Sequence, residues 1–394
     1  MPLAMWCRHG PQLGCSTGAC LNQPRSLWPM TLQQASPLPP RLTERPLAGA
    51  LLQPGQTGRV PQRILVIRHG ALGDIVQAFG FFAALRGACP QAWITLLTEP
   101  AFAPSMRLAP WFDAVAEDRR LPLWGIPPWR LWRQARHLTG LFNQHCLVVD
   151  AQQSGRTRLY RRLDGFWRQA RGLKALEWPC AERLHHHGRL HTSERQKSHL
   201  RCLGVLPVAP TQPLWLFQSV AEPMRSFIHA LAKRPFVVLV PGGSAGRLGK
   251  RWPAGCFAHV TAQLAQAGWH VALAGTDQER TLVRAITTQA IKRGASPKYL
   301  VDCSGRTDLA ALALLLHKAH GVVGNDTGTM HLGAALDVPS LTLFFAESDP
   351  RRTAPLAPTP GHSRVLSSRQ AAQLAPETVL AAFKALLAEV ARTH

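Results

Sequence analysis

The chain has 394 residues, 45 of them Lys or Arg against 22 Asp or Glu, for a formal charge of +23, and 46% of it is hydrophobic. That apolar content excludes a wholly disordered protein, and the length accommodates two ordinary domains. The charge points to an anionic partner such as nucleic acid, acidic lipid or a phosphorylated substrate, and says little about fold.

Residues 1–60 contain nine prolines, six glycines, a single acid (Glu44) and no lysine. They lack any sustained period of 2 or 3.6, so a disordered leader is expected there, with Met30 as an alternative start. From Pro61 onward, short β-branched runs alternate with helical stretches. The first half has "ILVIR" (64–68), "AWITLLT" (92–98), "FDAVAE" (112–117) and "CLVVD" (146–150). The second has "FVVLVP" (236–241), "HVALAG" (270–275), "YLVDCSG" (299–305), "GVVGND" (321–326) and "SLTLFF" (340–345). Continuous apolar strands separated by helices predict an α/β fold with parallel sheets covered on both faces. The Pro-rich segment 203–234 reads as an irregular linker between two domains, 61–215 and 230–370. Residues 371–393 read as one amphipathic helix.

The positive charge is concentrated in the first half: residues 119–174 hold 12 Lys or Arg against Asp150 and Asp164, a local balance of +10. Within that region "WRLWRQARHLTGLF" has a helical period, with Leu131, Trp132, Ala135, Leu138 and Phe142 on one side and Arg130, Arg133, Gln134 and His137 on another. It is either a docked surface helix with a solvated face or an anion-facing helix near an acceptor site or a membrane surface. Nine cysteines, an odd number with no C-x-x-C pair, suggest a reducing compartment without a zinc site. No uncharged apolar run approaches the roughly 20 residues of a membrane helix, and the start lacks a signal-peptide core, so a cytoplasmic protein is expected.

In open parallel sheets ligands sit beyond the carboxyl ends of the strands, which directs attention to three strand-to-helix loops. "RHGALGD" (68–74) does not complete G-x-G-x-x-G with Gly70 and Gly73, and Asp74 would place its own negative charge where a phosphate would sit. Asp74 reads equally as an N-cap for a helix beginning at Ile75 and as a general base kept ionised by the helix dipole. "PGGSAGRLGKRWP" (241–253) offers backbone N–H groups with Arg247, Lys250 and Arg251 beside them, which suits an anion. In "GNDTGTMH" (324–331), Thr327 and the N–H groups opening at Gly328 are candidate phosphate donors and Asp326 a candidate acceptor for sugar hydroxyls, the alternative for D-T-G being a cap followed by a tight turn; His331 alone reads more readily as a core or capping histidine. Glu279, about one turn into a helix, is either a ribose acceptor or a first-turn acid complementing the dipole. The run "HHHGRLH" (185–191) has no partner at ligand spacing and reads as a solvated loop, and no D-x-D is present to hold a divalent metal.

Taken together, "RILVIRHGALGDIVQAFGFFAALR", "VLVPGGSAGRLGKRWPAGCFAHV" and "VVGNDTGTMHLGAALDVPSLTLF" resemble the family 9 glycosyltransferases, the ADP-heptose:lipopolysaccharide heptosyltransferases, in the right order over 62–353. The resemblance implies a GT-B architecture: two Rossmann-like domains facing across a cleft, acceptor on the first and nucleotide-sugar on the second, with the C-terminal helix (371–394) packing back toward the first. It implies an inverting, metal-independent transfer of a heptose or related sugar from an ADP-sugar, without a cofactor, to an inner-core lipid A–Kdo acceptor. Asp74 would be the catalytic base, and Gly73, Ser244, Lys250, Glu279, Asp326, Thr327, Gly328 and His331 would bind substrate. The anionic lipid-linked acceptor agrees with the basic first domain and allows peripheral contact with the inner face of the cytoplasmic membrane. His69, Gln77 and the small residues of "PGGSAGRLGK" depart from the family pattern and leave the donor and acceptor identity open. Of the competing classes, a nucleic-acid-binding module rests on net charge alone and no nucleic-acid partner is expected. An NAD-dependent oxidoreductase is disfavoured by the missing G-x-G-x-x-G.

Overall fold

Among the described residues the nine apolar runs become nine of ten strands, and all pair in parallel. The computed structural model describes residues 62–122, 127–173, 177–178, 190–209, 212–243 and 246–393; the leader expected over 1–60 lies outside these. The first sheet holds β1 (Arg63–Ile67), β2 (Trp93–Thr98), β3 (Ala114–Glu117) and β4 (Leu147–Asp150) in the order β3-β2-β1-β4. The second holds β5 (Phe236–Val240), β6 (His270–Leu273), β7 (Leu300–Asp302), β8 (Val322–Asn325), β9 (Ser340–Phe344) and β10 (Ser363–Ser367) in the order β10-β9-β8-β5-β6-β7. Each order reverses beside its first strand, as in a Rossmann fold, and the whole is the GT-B architecture.

Burial on both faces explains why these strands read as unbroken apolar runs. In β1, Ile64 and Val66 join one core while Leu65 and Ile67 join another; in β5, Phe236, Val238 and Val240 are separated in the same way from Val237 and Leu239. The tenth strand was missed because it is half-buried at a sheet edge, with only Val365 and Leu366 to mark it.

The segment expected to be an irregular linker is structured. It carries a 3-10 turn, Leu214–Ser219, and a helix, Glu222–Leu231. Trp215 packs on Phe79 and Trp111 of the first domain (ring centroids 5.8 and 5.7 Å), and Phe217 lies 5.0 Å from the His317 ring of the second. Leu216 between them is fully buried, so apolar packing runs continuously from one domain to the other. The Pro residues confine the backbone while the aromatic side chains do the joining.

Two further expectations change. The tail is not one helix: a 3-10 turn, Ala371–Gln373, precedes the helix Pro376–Thr393, because a residue before proline disfavours helical backbone. That helix packs into the second domain, not the first, burying Val379, Phe383 and Leu386 with Val237, Leu239 and Trp252. The helix Pro128–Asn143 buries Leu138 and Phe142 against Leu65, Ile67 and Leu97, but Trp132 and Ala135 of the same expected apolar side are exposed. The stripe finds a partner only over the half of the helix that lies on the sheet. Cys202 is disulfide-bonded, which the cysteine spacing did not anticipate, whereas Cys89, Cys146, Cys256 and Cys303 are free.

Trp215 is the testable joint between the domains. Trp215→Ala is expected to cost about 3–5 kcal/mol of stability, as large aromatic truncations in cores do, whereas Leu214→Ala, at a 44% exposed neighbour, costs under about 1 kcal/mol. Denaturant unfolding of both variants compares them.

Candidate active site

The loop after β1 is shaped around Asp74. Gly70 adopts φ +114°, and a Cβ there would stand 2.6 Å from Asp74 Oδ2. The helix Leu72–Gln77 begins earlier than expected: Ala71 is its N-cap, without a side-chain cap bond. Asp74 is therefore not the cap but lies inside the first turn, its N–H donating to Ala71 O at 2.9 Å. Its carboxylate is 47% exposed and gains from the helix dipole. Arg68, almost fully buried, donates from Nε and Nη2 to Asp74 O (3.0 and 2.8 Å), from Nη1 to Ala151 O (2.7 Å) and from Nη2 to Asp74 Oδ1 (3.3 Å). One guanidinium thus fixes both the backbone and the acid of the loop, a use that lysine's point charge could not match.

Behind the loop the other strand ends supply buried polar support. His69 Nε2 lies 3.0 Å from Asp118 Oδ2, which also accepts from Tyr160 Oη at 2.7 Å, while Asp118 Oδ1 accepts from Arg120 N and Gln134 Nε2. Burial alone would raise the Asp118 carboxyl, but the hydrogen bonds from His69, Tyr160 and the Arg120 N–H outweigh it and hold the group below its ordinary value. Gln152 Oε1 accepts from His69 N, and Glu99 Oε1 from Gly70 N. His69, a departure from the family pattern, is thus a buried strut.

The second domain gathers the other loops. Lys250, at the end of the 3-10 turn Leu248–Lys250, pairs through Nζ with Asp326 Oδ2 at 2.7 Å. Asn325, fully buried, accepts from Trp252 N and donates to the carbonyls of Pro241 and Gly242, tying the loops after β5 and β8 together. Thr327 caps the helix Gly328–Ala335 by position only: its Oγ1 is buried without a partner. Glu279 belongs to a capping box with Thr276 and accepts from Gly243 N at 2.9 Å, so it braces the loop that contains Ser244. Ser244 itself lies outside the described residues, as do His185, His186 and His187 of the histidine run. Among the described residues no group of three His, Cys, Asp or Glu could hold a metal.

The two domains meet at two glycines. A Cβ on Gly328 would stand 2.5 Å from Leu72 Cβ and 2.7 Å from Gly73 N; one on Gly73 would stand 2.7 Å from His331 Cδ2. Gln77 Nε2 reaches His331 Nδ1 at 3.1 Å across the same contact. Burial pushes the His331 imidazole down to about 4, so it is neutral there despite Asp326 and Asp74 nearby. Asp74, Gly73, Gly328 and His331 are brought together, with Asp326 and Lys250 behind them.

Sequence reasoning missed two contributors. Arg68 was read only as part of a loop, and Arg195 not at all. A cavity of about 170 Å³ opens beside Asp74, lined by Arg68, Gln152, Gln153 and, from the helix Thr192–Cys202, Arg195 and His199. Nothing in the spacing of "HTSERQKSHLRC" links it to a loop 120 residues earlier, although Arg68 directly after an apolar strand was a readable signal.

Gly328→Ala is expected to separate the domains locally, because its Cβ meets backbone that cannot move aside, and activity should fall at least ~10-fold. Gly255→Ala, where the added carbon would meet only Gln289 Oε1 at 3.5 Å, is the neutral control. Melting temperature and turnover of both variants check this.

Residues 206–375 match the model of glycosyltransferase family 9 (heptosyltransferase). Lipopolysaccharide heptosyltransferase 2 of Salmonella typhimurium is 25% identical over 75% of this chain and 86% of its own length. Lipooligosaccharide heptosyltransferase 2 of Haemophilus ducreyi is 30% identical over 38% of this chain, and the match spans 42% of that relative. Among solved structures, a family 9 glycosyltransferase from Veillonella parvula superimposes with a TM-score of 0.65 at 18% identity, covering 83% of this chain and 97% of its own. The E. coli heptosyltransferase WaaC with ADP does so with 0.62 at 20%, covering 82% and 99%. Over residues 206–375 the chain is similar to glycosyltransferase family 9, and over most of its length it has the fold of the solved heptosyltransferases.

Proposed function

We propose that the protein transfers a heptose, or a related sugar, from an ADP-sugar to an anionic inner-core lipid A–Kdo acceptor, with inversion and without a metal. The observation that carries the reading is the pairing of a half-exposed carboxylate, Asp74, with a second-domain site that suits a diphosphate. In that site Lys250 Nζ reaches Asp326 at 2.7 Å, and Asp326 is followed directly by Thr327, with its unpartnered Oγ1, and by the N–H groups opening the helix Gly328–Ala335. Asp74 would take the proton of the acceptor hydroxyl as that oxygen attacks the anomeric carbon and the nucleoside diphosphate leaves. Charge developing on the diphosphate is stabilised by Lys250 and fixed N–H dipoles, which need no reorganisation at the moment of reaction. Asp326 holds Lys250 in place, and an incoming diphosphate competes with it for the ammonium. The donor reading is supported by the relatives: one E. coli heptosyltransferase structure is described with ADP and another with ADP-2-deoxy-2-fluoro heptose.

The basic first domain also has aromatic groups suited to a membrane surface. Trp129 and Trp132 are 55% and 63% exposed, and Phe166 and Trp167, on the helix Gly155–Ala170, are 64% and 45% exposed. Arg130, Arg136 and Arg171 each stack over one of these Trp rings, at 5.3 to 5.8 Å. Amphipathic rings beside cations fit an anionic headgroup layer, where a lipid-linked acceptor would be presented. Among the described residues no helix is long and apolar enough to cross a membrane, so the contact we propose is peripheral.

Two measurements test this function. Asp74→Ala should lower transfer by ~10²–10⁴-fold while calorimetry still detects ADP-sugar binding, and retained turnover would remove Asp74 from its role. Sedimentation with vesicles should capture the protein on phosphatidylglycerol but not on phosphatidylcholine. The quadruple Ser variant of Trp129, Trp132, Phe166 and Trp167 should stay in the supernatant.

A further inference from the structure

One wall of the cavity beside Asp74 carries three side-chain nitrogens that make no hydrogen bond. Arg195 Nε, Gln196 Nε2 and His199 Nε2, all on the helix Thr192–Cys202 and all lining the cavity, are buried without a partner. Residues 195 and 199 are one helical turn apart and 196 is adjacent, so the three project from neighbouring positions of one surface.

Their donor character is fixed. Gln153 Nε2 donates to His199 Nδ1 at 3.2 Å, which leaves the ring proton on Nε2. His199 is 3% exposed, and burial lowers its imidazole to about 4, so the ring is neutral with one N–H aimed away from Gln153. Arg195 and Gln196 offer N–H groups by nature. Of the nearby acceptors, Thr192 Oγ1 accepts from Arg195 Nη2 at 3.1 Å, Gln152 Oε1 from His69 N, Ala151 O from Arg68, and Asp150 Oδ1 from the N–H groups of Gln152 and Gln153, while the charged acceptor on the cavity, Asp74, is paired through Oδ1 with Arg68. Leaving several buried donors unmade costs about 1–3 kcal/mol each, which a folded chain rarely tolerates without a ligand.

A neutral sugar, with equal need to donate and accept, does not match such a wall. An anionic oxygen does, because it only accepts. Charge agrees: burial, and after it Arg352 of the other domain, lower the Arg195 guanidinium from its ordinary value against the opposing effect of Asp74, while Arg68 is already committed to the Asp74 loop.

We infer that Arg195, Gln196 and His199 form a subsite for an anionic group of the acceptor, a carboxylate or a phosphate, and that seating this group presents a neighbouring hydroxyl to Asp74. The inference rests on the acceptor reading above, and it adds which residues select an acidic acceptor. No chemistry beyond the proposed transfer is required, and Arg195 acts by position, not by exchanging a proton.

The test is steady-state transfer from ADP-heptose to lipid A–Kdo by the full-length chain, its Arg195→Met and Arg195→Lys variants and Gln196→Leu. Each is assayed with the native acceptor, its carboxyl methyl ester and its dephosphorylated form. Losing a charge-assisted hydrogen bond should raise the acceptor KM of Arg195→Met by ~10–100-fold, with KM for ADP-heptose unchanged and part of the loss recovered in Arg195→Lys. The neutralised acceptor that raises KM for the wild type, and is indifferent to Arg195→Met, identifies the group as carboxylate or phosphate. An unchanged acceptor KM in Arg195→Met, or equal use of all three acceptors by the wild type, overturns the subsite. Should Arg195→Met also lose ADP-heptose binding through misfolding, Gln196→Leu is read by the same criteria. A wild-type chain that transfers to no acceptor overturns the glycosyl-transfer reading instead. The subsite is then read directly, by calorimetry with a free sugar acid and with inorganic phosphate. Binding by the wild type that Arg195→Met lacks upholds it, and no difference between the two overturns it.

Discussion

The contact on which the arrangement depends is the approach of two glycine backbones, Gly73 and Gly328, one from each domain. At both positions a side chain would need space held by the opposing loop, including main-chain atoms that cannot yield cheaply. This close approach brings the first turn of one helix beside the first turn of another. Both positive helix ends point into one region, and each is given a different task. The first is already occupied by an acid of its own, Asp74; the second is left open, with Thr327 Oγ1 unpartnered beside it. The carboxylate and the open helix end lie close together without competing, because each belongs to a different helix.

The charges around this junction are held in pairs. Arg68 is buried against the Asp74 loop and Lys250 against Asp326, so neither guanidinium nor ammonium is left uncompensated where water is scarce. The geometries differ. Arg68 uses four contacts on backbone and side chain and acts as scaffolding, whereas Lys250 makes a single-point pair that a phosphate can displace. His331, between the domains, is kept neutral by burial and bonded to Gln77, so the joint adds no cation of its own. The apolar wedge of Trp215, Leu216 and Phe217 supports the joint from behind, and this is why a proline-rich stretch of the sequence is not a loose tether.

Local features were legible wherever the physics is local. Strands buried on both faces announce themselves as apolar runs, and nine of the ten were readable; the edge strand β10 was not, because half-burial leaves a weak pattern. The loops "GALGD" and "NDTGTMH" were readable because glycine and short polar residues after a strand have few structural alternatives. The N-cap role of Asp74 was not resolvable, since a shift of three residues in the helix start separates a cap from a first-turn acid. The exposure of Trp132 was likewise hidden, because periodicity states which side of a helix is apolar and not how much of it a sheet will cover.

Apolar runs and glycine-bearing turns were enough to read the class of fold, the strand-end loops and the chemical kinds present in them: one acid in the first, a lysine and an N-D-T-G turn in the second. Those follow from periodicity and from the conformational limits of glycine, which act over a few residues. Only the tertiary structure decided that Gly73 would rest against Gly328, and that Glu279 would brace a loop. It likewise decided that Arg195, Gln196 and His199 would face Asp74 from a helix 120 residues away, and that the last helix would pack on the second domain. Each of these is set by how separate elements fill a shared volume, and packing between distant segments leaves no spacing in the chain to be read.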